Sequence, residues 1–184
     1  MNSQLPSQTL AAHLMASLNR LGVEQVFISP GSRSQALTIA SLQLEKAGLL
    51  RTRVRVDERS AAFQALGAAL ATKKPVALIT TSGTAVANLH PAILEASHAG
   101  VPLIALTADR PIELRGVGAN QTTNQIGIFG DAVRTSIALE SPPAETAAGF
   151  AEDAAIRAVI AALGLRTGKP GPVQINVAFR EPLS

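Results

Sequence analysis

Residues 75–107 have the sequence PVALITTSGTAVANLHPAILEASHAGVPLIALT. Two short apolar runs, 75–80 and 101–107, flank a longer stretch, 83–99, in which apolar residues recur at helical spacing. Short apolar runs predict strands that are buried on both faces, and two parallel strands need a helical crossover between them. The stretch therefore predicts a strand–helix–strand unit whose strands run parallel.

The same alternation extends from this unit toward both ends of the chain. Strands are predicted at 25–28, 52–56, 75–80, 101–107, 135–139 and 173–177, and helices at 7–21, 35–46, 57–72, 83–99 and 145–163. Residues 108–130 are rich in Gly, Asn, Gln and Thr and predict a long loop with one helical turn at most. We therefore expect an α/β fold: three-layer and doubly wound, with a mainly parallel six-stranded sheet and helices on both faces.

The composition is that of a globular chain without thiol chemistry. The 184 residues suit one domain, and 47% of them are apolar against 16% charged. The absence of cysteine excludes disulfides, a thiolate nucleophile, and zinc or iron–sulfur sites with cysteine ligands. The net charge of +3 is scattered and Phe is the only aromatic residue, so we expect no nucleic-acid partner.

The sequence predicts no segment that crosses a membrane. Its apolar runs are shorter than the ~18–20 residues that span a bilayer. The first residues lack the basic start and the apolar core of a signal peptide. We therefore expect a soluble cytoplasmic protein without an integral membrane segment.

Ligands of doubly wound folds bind at the carboxyl ends of the strands, so the loops after the first four strands are the candidate site. In the first loop, the hydroxyls and glycine of Ser29–Ser34 suit an anion and Arg33 suits a carboxylate, although an ordinary capped turn explains the same residues. The second, 54–60, has two carboxylates where a strand leads into a helix. The plainer interpretation there is that Asp57 caps the helix and that Glu58 is an ordinary first-turn carboxylate.

The third and fourth loops are equally polar. Residues 80–84, TTSGT, offer hydroxyls and backbone N–H groups to a ligand, or simply cap the next helix. In the fourth loop, Arg110 pairs with Asp109 or binds a ligand carboxylate, and Gln121 lies at the expected start of a helical turn. Nucleotide-binding glycine motifs are absent, and the three histidines form no metal-ligand pattern.

The predicted helix at 57–72 carries small residues on almost every side. They are Ala61, Ala62, Ala65, Gly67, Ala68, Ala69 and Ala71. Small side chains let another element approach closely, so the helix packs tightly either on its own sheet or in a subunit interface.

Five segments together carry a specific resemblance to a known family. They are SPGSRS (29–34), VDERSAAFQALG (56–67), TTSGTAVANLHPAILEA (80–96), LTADRPIELRGVGANQ (106–121) and NVAFREPL (176–183). In this order and spacing they closely resemble the N-terminal, pyrimidine-binding domain of the thiamine diphosphate-dependent 2-succinyl-5-enolpyruvyl-6-hydroxy-3-cyclohexene-1-carboxylate synthases of menaquinone biosynthesis. The resemblance covers nearly the whole chain and is weakest at 41–53 and 138–167.

The resemblance implies which residues form the site. Glu58 matches the catalytic carboxylate, which hydrogen-bonds the pyrimidine ring of the cofactor in a pocket closed to water. The neighbouring alanines and Phe63 are consistent with such a pocket. Cofactor binding is implied for Glu58, Gly83 and Gln121, and substrate binding for Ser32, Arg33, Arg110 and Gln121. No metal ligand is implied in this chain.

The resemblance also implies a reaction and partners. The family decarboxylates 2-oxoglutarate and adds the resulting carbanion to isochorismate, using thiamine diphosphate and Mg²⁺, in a homodimer or homotetramer whose subunits share each site. Its chain has three domains, and the Gly-Asp-Gly…Asn pattern that holds the diphosphate and metal is not matched by 130–132, GDA. We therefore expect residues 1–184 to be a single pyrimidine-binding domain, a fragment that is inactive alone.

Two other functions stay open at this point. The chain could belong to another thiamine diphosphate-dependent enzyme, such as acetohydroxyacid synthase or another 2-oxoacid decarboxylase, which shares the catalytic Glu but lacks this combination of segments. It could also be a stand-alone, non-catalytic α/β binding module, which the missing metal pattern favours if the chain is complete. Activity on 2-oxoglutarate with isochorismate, against pyruvate, tests the first alternative, and the length of the reading frame tests the second.

Overall fold

The computed structural model describes residues 5–183 and contains a six-stranded sheet. The strands are β1 (Gln25–Ile28), β2 (Arg51–Val54), β3 (Val76–Thr80), β4 (Leu103–Asp109), β5 (Ser136–Leu139) and β6 (Val173–Ala178). The helices are α1 (Pro6–Arg20), α2 (Gln35–Lys46), α3 (Glu58–Thr72), α4 (Thr84–Ala87), α5 (His90–Ala99) and α6 (Ala144–Ala162). All neighbouring strands pair in parallel, in the order β2-β1-β3-β4-β6-β5, which confirms the predicted doubly wound α/β fold.

Each side of the sheet buries its own apolar core. Alternate residues of a strand point to opposite sides, so Ile79 of β3 packs with α1, α2 and α6, whereas Leu78 packs with α3, α4 and α5. Because helices cover both sides, the central strands must be apolar throughout. Each fully buried Leu or Ile contributes about 1.5–3 kcal/mol to the free energy of unfolding.

Strands β4 and β6 carry a buried polar surface that the long loop covers. Its members are Thr107, Asp109, Gln174 and Asn176. Gln125 and Phe129 of the loop are buried over this part of the sheet. The predicted long loop is confirmed, but it contains two short 3₁₀ turns, Ile112–Leu114 and Gly130–Ala132, rather than one helical turn.

The single helix predicted at 83–99 is wrong, because the structure has two helices, α4 and α5, separated by residues 88–89. Pro91 has no N–H to give to the carbonyl of Ala87, so a continuous helix is interrupted there. Proline is favoured in the first turn of a helix, and α5 accordingly begins at His90. The break places Asn88 at the end of α4, facing the start of α3.

The edge strand β2 departs furthest from the prediction. It spans Arg51–Val54 instead of 52–56, and its side chains are mostly exposed rather than buried. Because β2 has a neighbour on one side only, Arg51 and Arg53 lie where charged residues protect an open strand edge. Uniform burial therefore holds for β3, β4 and β6 and fails at this edge.

Helix α1 begins at Pro6 without a side-chain cap, although Ser7 lies in its first turn. Ser7 Oγ instead donates a hydrogen bond to the carbonyl of Arg180 at 2.8 Å. This contact joins the start of α1 to the segment that follows β6.

Candidate active site

The strand order opens a crevice between the loops that follow β1 and β3. The chain leaves β1 toward β2 on one side while β3 lies on the other, so the two loops diverge. They still touch at their bases, because a Cβ on Gly31 would lie 2.4 Å from the Cβ of Thr81. Glycine at position 31 is thus required by space rather than by backbone conformation.

The turn after β3 packs against Gln121. Gly83 has φ 82° and ψ −143°, which residues with side chains rarely adopt, and a Cβ there would lie 2.9 Å from Gln121 Cγ. Ser82 Oγ donates to the Gln121 carbonyl at 3.1 Å, and Gln121 Nε2 donates to the Ser82 carbonyl at 3.2 Å. Gln121 has φ 54°, so it occupies a left-handed turn. The prediction that Gln121 starts a helical turn is therefore wrong.

Arg110 completes this cluster. A guanidinium nitrogen donates to Ser82 Oγ and, at 3.0 Å, to the carbonyl of Gln121. Burial and then the nearby charge of Arg33 lower the pKa of Arg110 from its ordinary value, although neighbouring carboxylates partly oppose this. A partly buried cation beside a second cation favours a bound anion, and the remaining N–H donors suit a carboxylate.

Asp109 does not pair with the Arg110 side chain, so that alternative is wrong. The Asp109 carboxylate accepts from the backbone N–H of Arg110 at 2.7 Å and from Asn176 Nδ2 at 2.8 Å. Its salt bridge is with Arg115, at 3.3 Å. Arg115 Nε also donates to the carbonyl of Arg110 at 3.0 Å. The Asp109–Arg115 pair thus holds the backbone of Arg110 and leaves its guanidinium to the cluster.

Arg33 is only 7% exposed and is held by its own chain. Its guanidinium donates to the carbonyl of Phe179 at 2.9 Å and to the carboxylate of Glu181 at 3.1 Å. Ser32 beside it is exposed. The turn at Ser29–Ser34 therefore anchors the segment after β6, a contact that the anion-binding interpretation did not anticipate.

Glu58 begins α3 in a half-buried position. Asp57 caps the helix as predicted, because it accepts from the backbone N–H of Ser60 at 2.7 Å. The side chain of Ser60 and then this backbone hydrogen bond lower the pKa of Asp57. Glu58 Oε2 accepts from Asn88 Nδ2 at 3.3 Å. Phe63 is 42% exposed, so within this chain it does not close the water-free pocket that was expected around Glu58.

The structure thus brings Gly83, Arg110 and Gln121 into one cluster and places Arg33 close enough for its charge to act on Arg110. Four side chains that support these residues were missed by the sequence analysis: Asn88, Arg115, Gln125 and Asn176. Three of them bond to partners 30, 42 and 67 residues away, and no motif marks such pairs. Asn88, Arg115 and Asn176 do lie within the segments 80–96, 106–121 and 176–183, which was the one available signal, whereas Gln125 lies outside all five segments.

Two buried hydroxyls at the base of the crevice lack a hydrogen-bond partner among the described atoms: Ser29 Oγ, just after β1, and Thr80 Oγ1, at the end of β3. An unpaired buried polar group costs about 1–3 kcal/mol, so these hydroxyls mark a place for a polar ligand or water. Within residues 5–183, no three His, Asp or Glu side chains are grouped so as to hold a metal ion. The same residues include no helix that is long and apolar enough to cross a membrane.

The chain is similar to known proteins over much more than the residues of the candidate site. Residues 8–128 match the family model "Thiamine pyrophosphate enzyme, N-terminal TPP binding domain". A 2-succinyl-5-enolpyruvyl-6-hydroxy-3-cyclohexene-1-carboxylate synthase of Leifsonia xyli subsp. xyli is 52% identical over 180 residues, which are 97% of this chain and 30% of that protein. The protein of the same name from Thermobifida fusca is 52% identical over 179 residues, 97% of this chain and 31% of its own. The chain therefore spans about 30% of the length of the curated relatives it matches.

The family match includes all the candidate residues of the crevice, from Ser32 to Gln121, and the wholly parallel sheet that positions them. It covers more than half of the chain. The chain therefore belongs to the thiamine pyrophosphate enzymes and is an N-terminal TPP (thiamine diphosphate) binding domain.

Proposed function

We propose that residues 1–184 are the pyrimidine-binding domain of a three-domain 2-succinyl-5-enolpyruvyl-6-hydroxy-3-cyclohexene-1-carboxylate synthase of menaquinone biosynthesis. The whole enzyme would decarboxylate 2-oxoglutarate and join the product to isochorismate. The main support is 52% identity to relatives of that name along 97% of this chain. Thiamine diphosphate, bound with Mg²⁺, would supply the electron sink that makes loss of carbon dioxide feasible.

The residues of the crevice fit the pyrimidine half of that cofactor. Glu58 offers a carboxylate that Asn88 holds by a hydrogen bond, and a carboxyl group there can exchange a proton with a ring nitrogen. Gly83, which has no side chain, lets the turn after β3 pack closely against Gln121, another proposed cofactor contact. We assign the diphosphate and Mg²⁺ to the remainder of the full-length protein.

The cationic side of the crevice fits substrates that carry carboxylates. Arg110 is the principal proposed ligand, because partial burial and the charge of Arg33 both favour an anion beside it. Arg33 uses some of its N–H groups to bond to the segment after β6. A guanidinium has five N–H groups, so the others would be available to the substrate. Exposed Ser32 and Gln121 are proposed as further substrate contacts, and Gln121 also as a cofactor contact.

We further propose that two subunits of a homodimer or homotetramer share each site. The apolar side chains beside Glu58 support this, because Val56 is 89% and Phe63 is 42% exposed in this chain. Apolar surface next to a working carboxylate needs a cover that excludes water. The expected cytoplasmic location belongs to the same proposal.

The proposed function is tested with the full-length protein, thiamine diphosphate and Mg²⁺. We expect carbon dioxide release that requires 2-oxoglutarate, and formation of the adduct only when isochorismate is also present. Pyruvate is the control substrate: its consumption in place of 2-oxoglutarate would point to the acetohydroxyacid synthase alternative. Failure to turn over any 2-oxoacid would favour the non-catalytic module. The 184-residue chain alone is expected to release no carbon dioxide.

A further inference from the structure

Gln125 lies almost fully buried beneath the candidate site and joins three strand ends. The residue is 1% exposed, and its Oε1 accepts a hydrogen bond from the backbone N–H of Gly83 at 2.8 Å. Its Nε2 donates to the carbonyl of Ala108 at 3.1 Å and to Asn176 Oδ1 at 2.9 Å. Gln125 therefore ties the turn after β3 to the ends of β4 and β6.

Only an amide side chain of this length serves all these partners. One atom must accept a hydrogen bond while another donates two, which neither a methionine nor an ionised glutamate can do. The backbone carbonyl of Gln125 is also used, because Gln174 Nε2 donates to it at 3.0 Å. Loss of the Gln125 amide would remove a buried partner from the Gly83 N–H, the Ala108 carbonyl and Asn176 Oδ1, although Asn176 Oδ1 keeps its hydrogen bond from Thr107. Buried polar groups that lose their partners are costly in a low-dielectric interior.

Gly83 is the residue through which Gln125 reaches the crevice. Because the N–H of Gly83 already donates to Gln125, it is not free to bind a ligand, and Gly83 instead packs against Gln121. This packing is close, since the position of a Cβ on Gly83 is only 2.9 Å from Gln121 Cγ. A small shift of the Gly83 peptide would therefore change the gap between these two residues.

We propose that Gln125 is a positioning residue for cofactor binding: it fixes the Gly83 peptide against Gln121 and so sets the shape of the pyrimidine pocket. This inference rests on the proposed function, which takes Gly83 and Gln121 as cofactor contacts. A purely structural Gln125 would affect the stability of the fold and leave the affinity for the cofactor unchanged.

The test compares Gln125→Met with Gln174→Met in the full-length protein. Gln174 is the matched control, because it is a buried amide of the same network that bonds to Thr107, Ser136 and the Gln125 backbone but not to Gly83. The Kd of thiamine diphosphate is measured by calorimetry with Mg²⁺ and without substrates, and kcat is measured at saturating cofactor. A thermal melt gives Tm for each variant.

We expect Gln125→Met to raise the Kd about tenfold while kcat at saturating cofactor stays within about threefold of the parent. Gln174→Met should lower Tm to a similar extent and leave the Kd within about twofold. In the cofactor-free protein, the Gly83 amide should exchange with solvent faster in Gln125→Met only. If Gln125→Met does not fold, Gln125→Asn against Gln174→Asn makes the same comparison.

The proposal that Gln125 positions the cofactor site is overturned if the Kd is unchanged in Gln125→Met, or if it rises equally in both variants. A parent protein that binds thiamine diphosphate but consumes neither 2-oxoglutarate nor isochorismate overturns the proposed function, and the Kd comparison still decides the role of Gln125. A parent that binds no thiamine diphosphate overturns both.

Discussion

The candidate site has one side that this chain completes and one side that it leaves open. The completed side lies at the ends of β3 and β4, where Ser82, Arg110 and Gln121 are joined by hydrogen bonds. Beneath them, a buried network connects Gln125 and Asn176 to the sheet. This side is held by contacts between distant parts of the chain.

The open side lies at the edge strand β2. Glu58 is half-buried, accepts one long hydrogen bond from Asn88, and lies in a stretch of sequence that also exposes Val56 and Phe63. Substitutions on the open side should therefore change chemistry with little effect on stability, whereas those on the completed side should change both. The first three predictions below, and the last, test this difference.

The largest effect is expected from Glu58→Gln on the open side. In the full-length protein it should slow proton exchange at C2 of the cofactor about 10²–10⁴-fold, because the amide cannot exchange a proton with the pyrimidine ring. The free energy of unfolding should stay within about 0.5 kcal/mol, as for other substitutions away from the core. NMR of the exchange reaction and thermal melts provide the measurements. Exchange at the parent rate would leave Glu58 as an ordinary first-turn carboxylate.

Arg110→Ala on the completed side should raise KM for a carboxylate substrate about ten- to a hundredfold, through loss of a charge-assisted contact. Arg110→Lys should restore little, because an ammonium lacks the planar fork. Asp109→Ala is the control for the backbone, since it removes the partner of Arg115 and Asn176 and should lower Tm. Steady-state kinetics that stay unchanged in Arg110→Ala would remove Arg110 from the site.

Gly83→Ala should destabilise the protein by about 1–3 kcal/mol, because it places a side chain in a backbone conformation that favours glycine. The added Cβ would also contact Gln121. Gly67→Ala is the matched control: Gly67 lies within α3 with nothing within 4 Å of its Cβ position, and alanine there should stabilise the helix by about 0.5–1 kcal/mol. Thermal melts of the two variants should therefore move in opposite directions. A stabilising Gly83→Ala would contradict the geometry of the turn.

The smallest effect concerns an ion pair that joins the segment after β6 to the long loop. Arg180 donates two hydrogen bonds to the Glu113 carboxylate, at 2.5 and 2.9 Å, and lowers the pKa of Glu113 from 4.5 to about 2. Because this pKa is lower in the folded protein, the pair stabilises the fold above about pH 4.5 and loses its effect as the pH falls toward 2.

The difference in Tm between the parent and Glu113→Gln should accordingly shrink over that range. If the difference in Tm does not change with pH, the charge of Glu113 does not contribute to the stability of the fold.

The sequence predicts the sheet well where local pattern decides the structure. The apolar runs of β3 and β4 predict buried strands, and the topology then brings the loops with Arg33, Gly83 and Arg110 to one edge. It fails at β2, where Arg51 and Arg53 are themselves typical of an edge strand, since strands covered on both sides are apolar throughout. The exposure of Phe63 was equally hidden, since α3 has small apolar residues on nearly every side and no pattern that orients it.

The supporting residues were beyond prediction for a different reason. Gln125 and Asn88 are single amides in a loop and after a short helix, and each acts only because folding brings a distant partner within reach. The same holds for Arg33, whose partners Phe179 and Glu181 lie at the other end of the chain. Motifs predict which residues form the site, and only the fold shows which of them already bond to other parts of the chain.

Peptide-resolved hydrogen–deuterium exchange tests the contrast between the two sides most directly, with the 184-residue chain measured beside the full-length protein. The account predicts slower exchange of residues 54–63 in the full-length protein, because another part of the assembly covers Glu58 and its exposed neighbours there. Residues 80–88, which this chain already packs and hydrogen-bonds, should exchange at the same rate in both. Equal exchange of residues 54–63 in the two proteins would contradict the central claim that the Glu58 side is completed from outside this chain.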